Sequence, residues 1–256
     1  MVRYKFFLLL IGGLMATLLA IASPDILDEA SEAYRKDDYK KSIELYERVI
    51  TEHLAKGEES PELYYNLGNA YFRDNQIGKA ILNYNRALLL SPGDSDIRHN
   101  LRFANTRIED KIVPSNRFFL ADWFNSIQNL FNSNTWGIIA IVLFFLFLGC
   151  MSIFLFVRIL WMRKSAFYTG IVIFVLVIAA NVFAFNQKNV RIHRNSAVIM
   201  APAVSIRTSP DPNSKELFQL HEGTTVKIRK TDGDWHEIEI ANGSVGWIPK
   251  EYIEII

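Results

Sequence analysis

The sequence predicts a multidomain membrane protein: an all-α repeat solenoid, a transmembrane helical hairpin and a small all-β barrel, in that order. Three observations lead there. Charge is absent from residues 6–23, 137–157 and 165–185 and ordinary elsewhere. Helical periodicity with regularly placed Gly, Ala and Tyr runs to about residue 112. After residue 196 the pattern switches to short alternating strands separated by turn dipeptides. The averages over 256 residues, 50% hydrophobic and net charge +1, therefore describe no single part of the chain. A lone soluble globule is excluded by the uncharged runs, and a many-span transporter by how little of the chain is apolar.

Residues 1–23 have the form of a secretory signal. Arg3 and Lys5 make a basic start, Phe6 to Leu19 an apolar run, and Ala20-Ile21-Ala22 a small-residue cleavage site. The segment is either cleaved near Ala22 or Ser23 or kept as an anchor helix, and both readings export residues 24 onward.

Residues 24–116 form the first exported unit, which carries net charge −4. Within it, residues 61–94 place Tyr64, Leu67, Gly68, Tyr71, Ala80, Tyr84, Ala87 and Pro92 at the spacing of the tetratricopeptide repeat and resemble that family closely. Gly68 and Ala80 let two antiparallel helices approach, the tyrosines fill the space between helix pairs, and Pro92 stops the second helix. Residues 24–57 read as a weaker copy, with Ser42 where Ala is usual, and HLAKGEES inserts about four residues between the copies. Residues 95–112 read as a capping helix with Ile97, Leu101, Ala104 and Ile108 inward. Two repeats and a cap lie near the lower limit of independent stability, so this unit is expected to lean on the membrane helix, a second copy or a partner. The resemblance implies a concave peptide-binding groove lined by Tyr65, Asn69 and Arg73, with Arg35 and His99 from adjacent helices. An Asn–Arg pair suits a peptide carboxylate or backbone amide; a plain solvated face is the alternative for each of these residues.

Residues 117–134 include FFLADWFNSIQNLF, in which Leu120, Trp123, Phe124, Ile127 and Phe131 share helical spacing with Asn125, Gln128 and Asn129 between them. An amphipathic helix in the headgroup layer fits this pattern, as does packing on the preceding domain. Stretches 137–157 and 165–185 are each long enough to cross a hydrocarbon core of about 30 Å. The 158–164 loop carries Arg158, Arg163 and Lys164 and is expected on the cytoplasmic side. Lys188, Arg191 and Arg194 argue weakly the other way. With the signal, this topology puts both soluble units in the periplasm of a bacterial inner membrane. Neither span holds an ionisable interior residue, so an anchor is expected rather than a pump or pore.

Residues 190–256 form the last unit. Strands are expected near 197–200, 204–208, 217–220, 225–230, 235–240 and 245–249, with hairpin turns at Asp232-Gly233 and Asn242-Gly243. Val204, Arg207, Pro210, Leu220, Gly223 and Val226, followed by Trp235, Ile238, Gly243, Gly246, Trp247 and Ile248, resemble a bacterial SH3-like domain. That resemblance implies binding of cell-wall peptides or protein segments at a groove edged by Arg207, Asp211, Trp235 and His236. The alternative gives the tryptophans to the core and the charges to solvent.

No enzyme is expected, and no metal or cofactor. Cys150 is the single cysteine and lies inside an uncharged run, the five histidines show no ligand spacing, and no phosphate-cradling glycine loop occurs. The absence of a basic stripe argues against nucleic acid as a partner. The order signal, repeat pair, two spans and SH3-like end resembles the BatE-like members of the Bacteroides aerotolerance operon family. The resemblance implies a scaffold linked to oxidative stress tolerance. Its implied partners are von Willebrand A-domain membrane proteins and another tetratricopeptide protein of the same operon, with a MoxR-type ATPase on the cytoplasmic side. An envelope sensor that binds peptidoglycan through the SH3-like domain is the other reading.

Overall fold

The computed structural model describes residues 26–113, 115 and 119–256, so the signal-like start lies outside the described residues. Among the described residues five helices come first: α1 (Ile26–Arg35), α2 (Tyr39–Ala55), α3 (Pro61–Arg73), α4 (Ile77–Leu90) and α5 (Ser95–Asn105). Local chemistry sets their starts. Asp38, Ser60 and Asp94 accept hydrogen bonds from the exposed first-turn amides of α2, α3 and α5, and Pro61 opens α3, where no donor is lost. Asp37 and Asn75 take the left-handed conformation at φ 60° and 61°, each in the tight turn inside its repeat.

Close approach of the helices comes from the small residues. A Cβ on Gly68 would stand 2.8 Å from the Tyr84 ring, and Ala30, Ala70, Ala80 and Ala87 are fully buried. Ser42 takes an alanine's place because its buried hydroxyl donates to the Ala30 carbonyl at 3.0 Å. The capping helix ends at Asn105, short of the expected 112. Lys111 donates to the carbonyls of Thr106 and Ile108 and holds the turn after the helix. The chain then leads away, with Ile108 packed on the helical core and Ile112 on the β core.

The next helices are α6 (Phe119–Gln128), α7 (Ser133–Phe156) and α8 (Leu160–His193). α7 and α8 are long and apolar enough to cross a membrane. They run antiparallel, as shown by the ring pairs Phe154–Phe167 at 5.5 Å, Phe147–Phe174 at 5.3 Å and Trp136–Phe183 at 4.8 Å. Their non-helical connection is shorter than the expected 158–164 loop, because Arg163 and Lys164 already belong to α8. At its other end α8 continues past the uncharged run to His193, and Arg194 closes it in the left-handed conformation at φ 41°. α6 docks its end on the hairpin: the Trp136 indole and the Gln187 amide both donate to the Gln128 carbonyl, at 2.9 and 3.0 Å. Leu120 and Trp123 stay exposed at 49% and 64%.

Seven strands complete the chain: β1 (Ser196–Ile199), β2 (Ala203–Arg207), β3 (Glu216–His221), β4 (Thr225–Asp232), β5 (Trp235–Glu239), β6 (Val245–Pro249) and β7 (Ile253–Ile255). They form one sheet of order β3-β2-β6-β5-β4-β1-β7 with antiparallel pairing. The structure corrects the expected small barrel: β3 and β7 are the two edges and do not pair, so the sheet is not closed. The unexpected strand β7 occupies the free edge of β1, with Ala197 opposite Ile255, and bulges after Ile206 and Ile228 let the sheet curl over its own core. Ala197, Ile199, Ile206, Ile238 and Ile248 are fully buried in that core.

The two soluble units are packed together. Val198 and Ile256 are buried with the α4 residues Ile81, Tyr84 and Leu90 in one cluster, and Met200 packs against it. The support that a two-repeat stack requires therefore comes from the chain's own β domain.

Candidate protein-binding surfaces

The first helices of the two antiparallel pairs, α1 and α3, face a common cleft. It is about 200 Å³ in volume and lined by Ser31, Tyr34, Arg35, Tyr46, Asn66 and Asn69. Of the five residues expected in the groove, Arg35 and Asn69 meet in this cleft. Asn69 is anchored from behind: its Oδ1 accepts from the Tyr84 hydroxyl at 2.8 Å and from Asn100 Nδ2 at 2.9 Å. The same Asn100 amide donates to the Tyr65 hydroxyl at 3.0 Å, so Tyr65 belongs to the supporting network behind the cleft. Arg73 is drawn to the edge, donating to the Tyr39 hydroxyl at 2.6 Å and standing 3.6 Å from Asp37. His99 is exposed on α5 and is not part of the cleft lining.

Ser31, Tyr34, Tyr46 and Asn66 were not singled out from the sequence. Their signal is positional: Ser31, Tyr34 and Arg35 share one face of α1, and Asn66 and Asn69 share one face of α3. The cleft is rich in donors. Arg35 forms no ion pair among the described residues, and the Ser31 hydroxyl is tied to the Leu27 carbonyl at 2.9 Å and Tyr46 at 3.0 Å. Burial pushes the Tyr34 hydroxyl above its ordinary pKa, so it stays protonated and able to donate. Such a surface suits carbonyls and carboxylates of an extended peptide.

In the β domain, Arg207 ends β2 and Asp211 lies in the loop that follows it. Arg207 donates to the Ser214 carbonyl at 2.6 Å, and Asp211 accepts from the Asn213 amide at 2.8 Å. Trp235 is half-buried at the start of β5, opposite Pro249. His236 stands apart from that edge. It is buried at 8% exposure, its Nδ1 is 2.9 Å from the Thr231 hydroxyl, and burial together with Lys250 lowers its pKa, which keeps the ring neutral. A cation does face an aromatic nearby: the Lys230 ammonium sits 5.8 Å over the Trp247 ring.

The opposite, convex side of the repeats is occupied by the β domain itself. Asp110 accepts from the His221 amide at 2.8 Å, the His221 ring at 2.8 Å and the Thr224 hydroxyl at 2.6 Å. Arg86 donates to Glu254 and to the Ile255 carbonyl, both at 2.8 Å, and Glu222 accepts from the Gly78 amide at 3.2 Å. Gly223, at φ +89°, lets this turn touch the helices, because a Cβ there would lie 2.5 Å from Ile108. Glu59, ahead of α3, receives Arg194 at 2.5 Å and Arg191 at 3.7 Å. Among the described residues no group of three or more His, Cys, Asp or Glu could hold a metal ion.

Comparison with known proteins agrees with this architecture. Residues 61–94 match the family model of the tetratricopeptide repeat, and residues 202–254 match that of the bacterial SH3 domain. The chain is also 32% identical over 60 residues to "Cell wall-binding protein YwsB" of Bacillus subtilis (strain 168), covering 23% of this chain and 34% of that protein. The chain thus spans about a third of that relative's length. The protein combines a tetratricopeptide repeat, two apolar helices and a bacterial SH3 domain, two of them modules associated with binding.

Proposed function

We propose that the protein is a non-enzymatic scaffold, held by α7 and α8 in a bacterial inner membrane, that presents both soluble units to the periplasm. The observation that carries this reading is the fusion of two binding-type modules into one body at one end of an apolar hairpin. Arg158, Arg163 and Lys164 gather at the other end, the pattern of a cytoplasmic turn. The signal-like start agrees with export of everything after it. The concave cleft stays open while the convex side is covered, which leaves one face for a partner peptide. On the family resemblance, the partners are von Willebrand A-domain membrane proteins and another tetratricopeptide protein, in a Bat-type complex served by a MoxR-type ATPase. The contribution to oxidative stress tolerance is then indirect, since Cys150 sits in the hairpin. Crosslinking in native membranes with pull-down of the full chain tests this. The expected result is recovery of an A-domain or repeat partner, and its loss when Arg35 and Asn66 are replaced by alanine; recovery of neither partner overturns the proposal.

A second reading is peptidoglycan binding through the β domain, favoured by the likeness to a protein named as cell wall-binding. Co-sedimentation of the detergent-solubilised chain with purified sacculi decides it. Pelleting that is lost on changing Arg207 or Trp235 supports a wall-binding sensor, whereas a chain that stays in the supernatant leaves the scaffold alone.

A further inference from the structure

A second, larger cavity is not explained by either binding module. About 780 Å³ in volume, it lies where α4, α5, α6, the end of α8 and the β domain converge. That volume is within the range of pockets that hold a discrete ligand, about 300–1,000 Å³. Its lining is mixed. Arg98, Arg194 and Asp122 supply charge, Asn125 and Gln187 supply amides, and Leu88, Leu130 and Val190 are among its apolar residues.

Its depth is set by α8. The apolar run ends at Phe185, and Gln187 and Val190 lie two and five residues further on. At about 1.5 Å per residue they stand roughly 3 and 8 Å beyond the apolar stretch. The polar headgroup layer adds about 5–8 Å on each side of the hydrocarbon core. The cavity therefore opens at headgroup level, beside α6, whose Leu120 and Trp123 are exposed. This placement rests on the proposed role of α7 and α8 as membrane spans.

The charges are arranged for a zwitterion. Arg194, on the cavity wall, shares the single carboxylate of Glu59 with Arg191, which lies outside the lining, so this group carries excess positive charge. Arg98 spends one guanidinium nitrogen on the Pro92 carbonyl at 2.8 Å and keeps further donors. Asp122 forms no ion pair among the described residues and brings a negative charge from α6. Amide oxygens beside it can accept from an ammonium N–H. An anionic lipid would leave Asp122 uncompensated, and a quaternary ammonium would offer it no N–H.

We infer that this cavity binds the headgroup of an aminophospholipid, its phosphate toward Arg98 and Arg194 and its primary ammonium toward Asp122. The protein thereby takes up one lipid as part of the joint between the hairpin and the exported body.

The test uses the full chain in detergent, incubated with phosphatidylethanolamine, phosphatidylcholine or phosphatidylglycerol of identical acyl chains and read by native mass spectrometry. Retention of phosphatidylethanolamine is expected to exceed the other two by about tenfold, the size of one charge-assisted hydrogen bond. Asp122→Asn is expected to erase the preference over phosphatidylcholine, Arg98→Gln to lower retention of all three, and Phe145→Ala, on the lipid-facing side of α7, to change nothing. A photo-crosslinking side chain at Asn125 should label lipid in native membranes. Equal retention of the three lipids, a preference unchanged in Asp122→Asn, or labelling of polypeptide in place of lipid each overturns the inference. Fractionation distinguishes the causes: a chain that stays with carbonate-washed membranes but shows no preference defeats the lipid site alone, and one that washes off defeats the membrane anchor as well.

Discussion

The two faces of the repeat pair are built from the same motif and have met opposite fates. The face on α1 and α3 keeps a small polar cleft in which the Arg35 guanidinium forms no ion pair among the described residues. The other face, on α4, is largely covered: Ile81 is fully buried, Leu82 is 2% exposed, and β1, β7 and the His221–Thr224 turn lie across the helix and its neighbour, beside the cavity at the joint. The motif residues specify only how helices pack within the stack. What covers the outside is decided by the residues between motif positions, and on α4 these include Ile81, Leu82, Leu88 and Leu89. A helix with apolar residues on more than one face is buried on more than one side. The difference separates the side that the chain buries against itself from the side that stays open to solvent.

The strongest way to break this contrast is Ile81→Ala, which opens a cavity in the shared core and is expected to cost about 2–5 kcal/mol. Hydrogen exchange should then show α4 and strands β1 and β4 losing protection together. Strand amides that keep wild-type protection would mean the two units are energetically separate.

Asp110→Ala comes next. It removes a partly buried acceptor of three hydrogen bonds and is expected to cost about 1–3 kcal/mol, read by urea unfolding. The same contact carries a pH dependence. Burial pushes the Asp110 carboxyl up, but the hydrogen bonds from Thr224 and His221 more than offset it, and the group lies below its ordinary value of 3.8. Its stabilisation is present above that value and is lost as pH falls through the lowered one. His221, bonded to Asp110, lies above its ordinary 6.5, so its share is present below 6.5 and lost as pH rises through the raised value. The joint is therefore tightest between the two ranges. After division by the intrinsic base-catalysed rate, the protection of the Glu222–Thr224 amides should fall in the wild type as pH rises through the raised His221 value, and this fall should be smaller in Asp110→Ala.

The smallest effect on stability belongs to the open face. Arg35→Ala with Asn66→Ala is expected to stay within about 0.5 kcal/mol of the wild type by thermal unfolding. A larger loss would show that the cleft is part of the structure and not a surface held open for binding.

Much of this architecture was legible in the residues. The motif from Tyr64 to Pro92 predicts α3 and α4, the turn glycines at 233 and 243 predict two hairpins, and the expected strands agree closely with β1 to β6. The groove was legible only in part. Arg35 and Asn69 are found in the cleft, but Arg73 was captured by Tyr39, a neighbour outside its own helix, and His236 by the sheet interior. The overlooked signal was on α4, whose run ILNYNRALLL is too apolar for the outer face of a terminal repeat.

By itself, then, the sequence determined the kinds of element, most of the strand limits and the two uncharged helices. Capping residues, turn glycines and apolar periodicity act over a few positions, so a local reading suffices. The tertiary structure alone decided that the sheet stays open, that its β1–β7 edge rests on α4, and that a cavity forms at the joint. These outcomes depend on pairs such as Gly78 with Glu222, Asp110 with His221 and Arg86 with Glu254. Each partner alone reads as an ordinary surface residue or turn, and only their meeting across the fold gives them a role.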